Sequence, residues 1–203
     1  MAINVSTGQP ISGSQVYYFI QSIDAPIGSN AYLPAYRTDG GTTLGGDFLD
    51  EQSQQGRVLR KGADEHEIEL TTYFVPADES NKIITDAQKN GKSVKVWEVT
   101  VDESVVEGEG DDTTYPAKFG YGKVSEYELS AGIGDLAEVS YTLGIVGSLQ
   151  DGRFPLTEED IAVLENVYGY QNPGETTGDY DNITSESDSA GSSEPGSAVT
   201  GEE

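Results

Sequence analysis

The sequence predicts a mainly β fold with one short flanking α-helix. Several segments alternate apolar and polar residues with the period of two that is typical of half-buried strands. Only residues 79–90 show a clear amphipathic helical spacing in the middle of the chain, and they lie between two strand-like segments, as in FVPADESNKIITDAQKNGKSVKVWEV, residues 74–99. Hydrophobic residues make up 35% of the chain, below the ~45–50% of globular domains, which predicts that part of it is not packed.

The first predicted strands differ in how their faces are composed. SQVYYFIQ, residues 14–21, is apolar on both faces, which predicts a strand covered on both sides. EHEIELTTYFV, residues 65–75, separates an apolar face from an acidic one formed by Glu65, Glu67 and Glu69. KVSEYELS, residues 123–130, places Glu126 and Glu128 on one side of its strand.

Two further strands are predicted. DLAEVSYTLGIVG, residues 135–147, has apolar residues at alternate positions from Ala137 to Ile145, with Glu138 on the opposite face. SVKVWEVTV, residues 93–101, is apolar at Val94 and then again from Trp97. This change of phase predicts either a β-bulge or burial on both faces.

The helix over about 79–90 has its own end signals. Asp78 is a predicted N-cap, because its carboxylate can accept from the free N–H groups of the first turn. Ile84 and Ala87 lie in a narrow apolar stripe, and Gly91 can end the helix in a left-handed conformation. A helix this short is not stable alone in water, so we expect it to lie on the sheet.

A second helix is predicted over about 158–168. Thr157 and Asp160 form a variant of the capping box. Ile161, Leu164 and Tyr168 would form its apolar stripe and hold the last ordered segment of the chain.

Two segments lack any regular pattern. Residues 37–58 are predicted as a long loop that carries the apolar side chains of Leu44, Phe48 and Leu49. We expect these side chains either to dock onto another surface or to fold back onto the protein's own core. Residues 171–203 contain eight acids and no base among Ser, Gly and Thr, which predicts a flexible acidic tail. The folded β domain is therefore expected to span residues 1–170.

Composition excludes several classes of function. The formal net charge is −25, which opposes binding to nucleic acid phosphates. The chain has no cysteine, and neither a signal peptide nor an apolar run of ~20 residues is visible, so we expect a soluble protein made in a cytoplasm. With one histidine, His66, and no triad, phosphate-binding loop or HExxH motif, we predict no enzyme activity, no cofactor and no metal site.

The ordered set of elements resembles the major tail proteins, or tail tube proteins, of long-tailed, non-contractile phages, most of all those that infect Gram-positive bacteria. The resemblance runs from Gln15 to Leu149. It depends on TTYFVPADES, AQKNGKSVKVWEV and the closing pair FGYGKVSEYELSAGIGDLAEVSYTLGIVGSL, with its Gly-x-Val strand, acidic turn and final Gly-x-x-Gly.

The resemblance implies a β-sandwich or partial barrel that assembles into six-membered rings. The rings would stack into the tube through which DNA leaves the capsid, with the 37–58 loop reaching a neighbouring subunit and the helix covering the side of the sheet away from the channel. It also implies the virion tail tube as location, assembly in the host cytoplasm, and further copies of itself, the tape measure protein and tail-terminator or distal tail proteins as partners. DNA would pass through without specific binding, and no membrane insertion is expected.

Six acids are candidates for the wall of such a channel, where they would repel phosphates: Glu65, Glu67, Glu69, Glu126, Glu128 and Glu138. The alternative is that they lie on an outer, solvated surface, and we do not expect all six to share one face. Leu44, Phe48 and Leu49 are the candidates for ring stacking.

Two other functions stay open at this level. A monomeric carbohydrate- or surface-binding β-sandwich would use exposed aromatics such as Tyr32, Tyr36 or Trp97. A hydrolase would use a pair of carboxylates, although no sequence feature indicates a substrate.

Overall fold

The computed structural model describes residues 8–108 and 110–165. Its regular elements in that part of the chain are seven strands and two α-helices, joined by turns and short 3-10 segments. They are β1 (Val16–Ser22), β2 (Arg37–Ser53), β3 (Gly56–Tyr73), α1 (Glu79–Asn90), β4 (Ser93–Thr100), β5 (Thr114–Ser130), β6 (Glu138–Ile145), β7 (Gln150–Pro155) and α2 (Glu158–Glu165). The predicted mainly β class with a short flanking helix is confirmed.

All seven strands belong to one antiparallel sheet: six follow the order β1-β4-β5-β6-β3-β2, and β7 pairs with β5. The long strand β5 pairs with β4 on one side over residues 117–123. On its other side it pairs first with β7 and then with β6. One strand therefore connects two differently covered regions of the sheet.

The sheet is rolled, because its two end strands meet. The Arg37 guanidinium at the start of β2 donates to the carbonyls of Gly13 and Val16 beside β1, at 2.8 and 2.9 Å. The hydroxyl oxygens of Tyr18 on β1 and Thr42 on β2 lie 3.4 Å apart. Side chains rather than a backbone ladder thus join these edges, which gives the partial barrel.

Two apolar clusters fill the two sides of the sheet. The larger one lies inside the roll and takes Ile68, Leu70 and Leu143 together with Ile84 of α1. The smaller one lies on the other side, around Phe19, Val99 and Tyr115, where β7 and α2 cover it. The phase change in β4 therefore reflects burial on both faces, since its registers with β1 and β5 run without a shift.

Helix α1 begins and ends as its sequence predicts. The Asp78 carboxylate accepts from the N–H of Ser80 at 2.8 Å and from the N–H of Ala35 at 3.2 Å, so the cap also holds the preceding loop. Gly91 ends the helix with φ +63°, in the left-handed region. Ile84 and Ala87 are buried in the larger cluster, on the side of the sheet opposite Glu67 and Glu69.

The prediction of a long loop over 37–58 is wrong. Residues 37–53 form β2, which pairs along its length with β3 through a tight turn. The outer part of this hairpin has no third strand beside it, because β3 pairs with β6 only from Glu67 onward. A two-stranded ribbon with neither face buried does not acquire the alternation of apolar residues by which strands are recognised.

The remaining boundaries are close to those expected, with one strand missed. The Asp160 carboxylate accepts from the N–H and hydroxyl of Thr157 at 2.9 and 2.7 Å, which confirms the capping box of α2. Residues 166–168 of the predicted helix and the tail 171–203 lie outside the described residues. Strand β7 was not predicted.

Within the described residues, none of the helices is both long and apolar enough to cross a membrane.

Candidate functional site

The acidic residues singled out in the sequence form one surface, which we call the acidic face. Cross-strand neighbours in an antiparallel sheet share a face, and the registers place the candidates in rows. Glu69 of β3, Thr142 of β6 and Glu126 of β5 form one row. Ser140 and Glu128 continue the next row, and Glu138 the one after that. Five candidates thus share this face, and Glu65 follows on the same side of β3 by alternation, in the part of the strand beyond its pairing with β6.

A β-bulge in β5 brings Glu126 and Glu128 onto the acidic face. The register with β6 shifts between Val124 and Glu126, so that Ser125 is the extra residue. Val124 packs inside the roll, and after the bulge Tyr127 packs inside it as well. If the strand alternated regularly through Ser125 instead, Glu126 would point into the core and Tyr127 into solvent.

The charge on the acidic face is not neutralised locally. Glu65, Glu67, Glu69, Glu126 and Glu128 are exposed, and Glu138 is half-buried. None of the six takes part in the ion pairs formed among the described residues. In β2, Asp39 is opposite Thr71 and adds a further carboxylate to this side. The face therefore carries a strongly negative potential.

The acidic face also has two open edges. Strand β2 pairs only with β3, so its outer edge is free of a backbone partner among the described residues. Strand β5 pairs with β4 only up to Lys123, which leaves the edge of residues 124–130 open on that side. An open edge exposes unpaired N–H and C=O groups that can pair with another strand.

The second candidate surface is the projecting part of the β2–β3 hairpin, residues 44–66, which we call the arm. It extends about 30 Å at ~3.3 Å per residue. Leu44, Phe48 and Leu49 are 59%, 67% and 60% exposed, so these side chains do not fold back onto the core of their own chain. Such a ribbon is marginally stable alone, and its apolar side chains favour contact with another surface.

Sequence reasoning missed part of the arm. Val58 and Leu59 are also exposed, at 43% and 54%, and they lie opposite Glu51 and Asp50 across the ribbon. A signal was present, because the apolar pairs 48–49 and 58–59 lie on either side of the polar turn at Gln54-Gln55. Such an arrangement is typical of a hairpin.

The arm also carries a cluster of basic residues. Arg57 forms two hydrogen bonds to the Asp50 carboxylate, at 2.8 and 2.6 Å, which lowers the pKa of Asp50. Lys61 pairs with Asp64 and lowers the pKa of that carboxyl. Arg60, which is exposed, forms no ion pair within the described residues.

Two of the side chains considered for catalysis or sugar binding, His66 and Trp97, are engaged elsewhere, whereas Tyr32 and Tyr36 are exposed. The Nδ1 atom of His66 accepts a hydrogen bond from the N–H of Leu149 at 2.9 Å, which ties the root of the arm to the connection between β6 and β7. Trp97 packs at 5.2 Å from the Phe119 ring and 5.9 Å from that of Phe154. It is a structural aromatic rather than an exposed platform.

Comparisons with known proteins agree with this geometry. The sequence profile of the family described as phage tail tube protein matches residues 11–151. The tail tube protein gp17.1* of Bacillus phage SPP1 is 39% identical over 171 residues, or 84% of this chain. The match spans 62% of that protein, less than two-thirds of its length.

Solved structures show the same fold. A hybrid NMR and cryo-EM structure of the SPP1 tail tube matches with a TM-score of 0.62 at 33% identity, over 83% of this chain and 95% of that one. The tail of a gene transfer agent particle matches with a TM-score of 0.53 at 15% identity, over 70% of this chain and 98% of that one.

Proposed function

Because this chain belongs to the phage tail tube protein family, we propose that its copies assemble into six-membered rings that stack into a tube for DNA ejection. The family consists of structural virion proteins, which confirms the prediction that the chain is not an enzyme. The similarity to the protein of a Bacillus phage confirms the resemblance to tail proteins of phages of Gram-positive bacteria.

The acidic face is the observation that carries the proposal in this chain. Its six carboxylates lie on one side of a sheet whose other side is filled by the core and α1. Facing a channel, the carboxylates would repel DNA phosphates and let the duplex slide without adsorbing. We therefore assign Glu65, Glu67, Glu69, Glu126, Glu128 and Glu138 to the lumen, with α1 on the opposite side of the wall.

The open edges provide a way to close the ring. The free edge of β2 in one copy can pair with the free edge of residues 124–130 in the next. Such head-to-tail pairing satisfies both edges and closes if the rotation per subunit permits. It would join the acidic faces of neighbouring copies into one continuous inner sheet.

The arm provides contacts along the tube. Leu44, Phe48 and Leu49 would contact a copy in the adjacent ring and so bury apolar surface that the single chain leaves exposed. The tape measure protein inside the tube and the tail-terminator and distal tail proteins at its ends would be the other partners. The tube would be assembled in the host cytoplasm and located in the virion tail.

Single-cysteine labelling tests which face lines the bore. The chain has no cysteine, so Glu128→Cys on the acidic face and Lys89→Cys on α1 each introduce one reactive thiol. Assembled tubes are treated with a biotin-maleimide, then with streptavidin-gold, which is too bulky to enter the bore, and viewed by negative-stain electron microscopy.

We expect gold along the walls of Lys89→Cys tubes and none along the walls of Glu128→Cys tubes. Biotin incorporation, measured by mass spectrometry, shows that both thiols have reacted. Gold along the walls of Glu128→Cys tubes would place the acidic face outside and contradict the assignment. If the wild-type chain forms neither rings nor tubes at high concentration, the proposed function itself is wrong.

A further inference from the structure

An apolar surface lies at the end of the sheet opposite the arm. The end of β3 and the start of β6 lie side by side there, and the N–H of Phe74 donates to the carbonyl of Ala137 at 2.7 Å. The N–H of Tyr73 donates to the carbonyl of Tyr36 at 3.2 Å. The start of β2, the end of β3 and the β5–β6 turn therefore meet at one rim.

This rim exposes several large apolar side chains, which we call the rim patch: Tyr36, Phe74, Leu129, Ile133 and Leu136. Their exposure ranges from 38% at Phe74 to complete exposure at Ile133. Apolar groups gathered at one end of a protein, rather than scattered singly, indicate an interaction site.

The backbone at Tyr36 supports the same interpretation. Its φ of +48° makes it the non-glycine residue with a left-handed backbone among those the structure describes. This conformation is costly for a bulky side chain. The Tyr36 side chain that this backbone conformation presents is 74% exposed, so the single chain gains no burial of the ring in return.

Charge distinguishes the rim from the arm. Residues 125–138 contain Glu126, Glu128, Asp135 and Glu138 and no basic residue. The arm contains five acids and three of the eleven basic residues of the chain, and of these bases Arg60 forms no ion pair in the described part. Both surfaces are apolar, and Arg60 offers an unpaired positive charge to the acidic segment of the rim.

The direction of the strands places these surfaces for head-to-tail contact. Strand β2 begins at Arg37 beside the rim and ends at Ser53 in the arm, so the surfaces lie at opposite ends of one hairpin. A contact between two different surfaces of identical copies generates an open, repeating assembly when it does not close into a ring.

We propose that the rim patch is the receptor for the arm of a second copy in the next ring, with Arg60 pairing to Asp135 in the β5–β6 turn. This inference rests on the proposed function, since it identifies the surface on which the arm docks. The apolar side chains of arm and rim would bury one another, and the acidic turn would fix their register.

Cross-linking between two single-cysteine forms of the full chain tests the contact. Phe48→Cys and Leu136→Cys chains are mixed, assembled and oxidised, and the products are analysed by non-reducing electrophoresis and mass spectrometry. We expect a disulfide between the two forms in pelleted tubes. The control replaces Leu136→Cys by Lys89→Cys, which is also exposed but lies on α1, on the side of the sheet opposite the acidic face, and should give no such product.

A charge exchange provides the second test. Arg60→Glu and Asp135→Lys should each reduce the yield of pelleted tubes, and the double variant should recover it, while circular dichroism shows all three folded. If wild-type tubes form but the Phe48–Leu136 disulfide is absent and the charge variants assemble normally, the rim is not the receptor. If the wild-type chain forms no tubes, the proposed function fails instead.

Discussion

Removing the hydroxyl group of Tyr141 should stabilise the protein. Tyr141 lies in the larger core with 3% of its surface exposed, and its hydroxyl is the buried side-chain polar atom without a hydrogen-bond partner among the described residues. A buried polar group left unpaired costs about 1–3 kcal/mol. We expect Tyr141→Phe to raise the free energy of unfolding by about 1 kcal/mol, because the ring keeps its contacts and only the desolvated group is lost.

The same chemical change at Tyr127 is the matched control. Its hydroxyl donates to Oδ1 of Asn81 at 3.0 Å and so ties β5 to α1. Tyr127→Phe should therefore lower the free energy of unfolding by about 0.5–1.5 kcal/mol. Opposite signs for one substitution at two neighbouring tyrosines would isolate the hydrogen bond as the cause.

Urea unfolding of the unassembled chain, followed by far-UV circular dichroism, measures both changes. An unchanged dependence on urea concentration shows that the unfolded states are comparable. If Tyr141→Phe is instead destabilised by about 1 kcal/mol, the hydroxyl has a partner in solution and the reasoning is wrong.

Alkaline pH gives a second measure. Burial raises the pKa of Tyr141 above that of a free tyrosine. Below the unfolded-state pKa of about 10, both states keep the phenol proton and the wild type has its full stability. Above that pH the unfolded state loses the proton while the folded state keeps it, so the wild type becomes less stable as the pH rises. The advantage of Tyr141→Phe over the wild type should therefore widen as the pH is raised above about 10. A constant difference across that range would contradict the raised pKa.

Two further predictions concern the contact between β1 and β2 and the Arg57–Asp50 ion pair of the arm. A Cβ atom at Gly40 would lie 2.9 Å from Cε2 of Tyr18, so Gly40→Ala should lower the free energy of unfolding by about 1–3 kcal/mol through overpacking. Gly41→Ala is the control and should be neutral, because its Cβ would meet nothing within 4 Å. Equal effects of the two substitutions in urea unfolding would refute this. Arg57 lowers the pKa of Asp50, so the Arg57–Asp50 ion pair should persist below the ordinary carboxyl pKa and break only as the pH falls through the lowered value. NMR titration of the Asp50 carboxyl measures this pKa, and Arg57→Gln should return it to the ordinary range. An ordinary pKa for Asp50 in the wild type would contradict the ion pair.

The sequence was informative wherever one face of an element is buried. The alternation in β3 and β6 predicted which side chains enter the core, and Asp78 and Gly91 predicted both ends of α1. These signals depend on local chemistry and on burial within the same chain.

Elements that lack burial within the chain could not be found in this way. The arm has no covered face, and β7 is a short strand that is mostly exposed and ends at Pro155. The bulge at Ser125 was also missed, although the three-residue spacing of the core side chains Val124 and Tyr127 marks the extra residue. Contacts supplied by other copies leave no periodic pattern in a single sequence.

The acidic face and the core are encoded by one and the same alternation, and this constrains both. In β3, Ile68 and Leu70 are completely buried, while Glu67 and Glu69 between them are exposed. A slip of one residue in the pairing with β6 would drive the glutamates into the core and the apolar side chains onto the acidic face. Burying unpaired carboxylates is so costly that the charges proposed to repel DNA also lock the register of the strand that carries them. Selection for a negative channel wall and selection for a unique sheet register therefore act on the same residues.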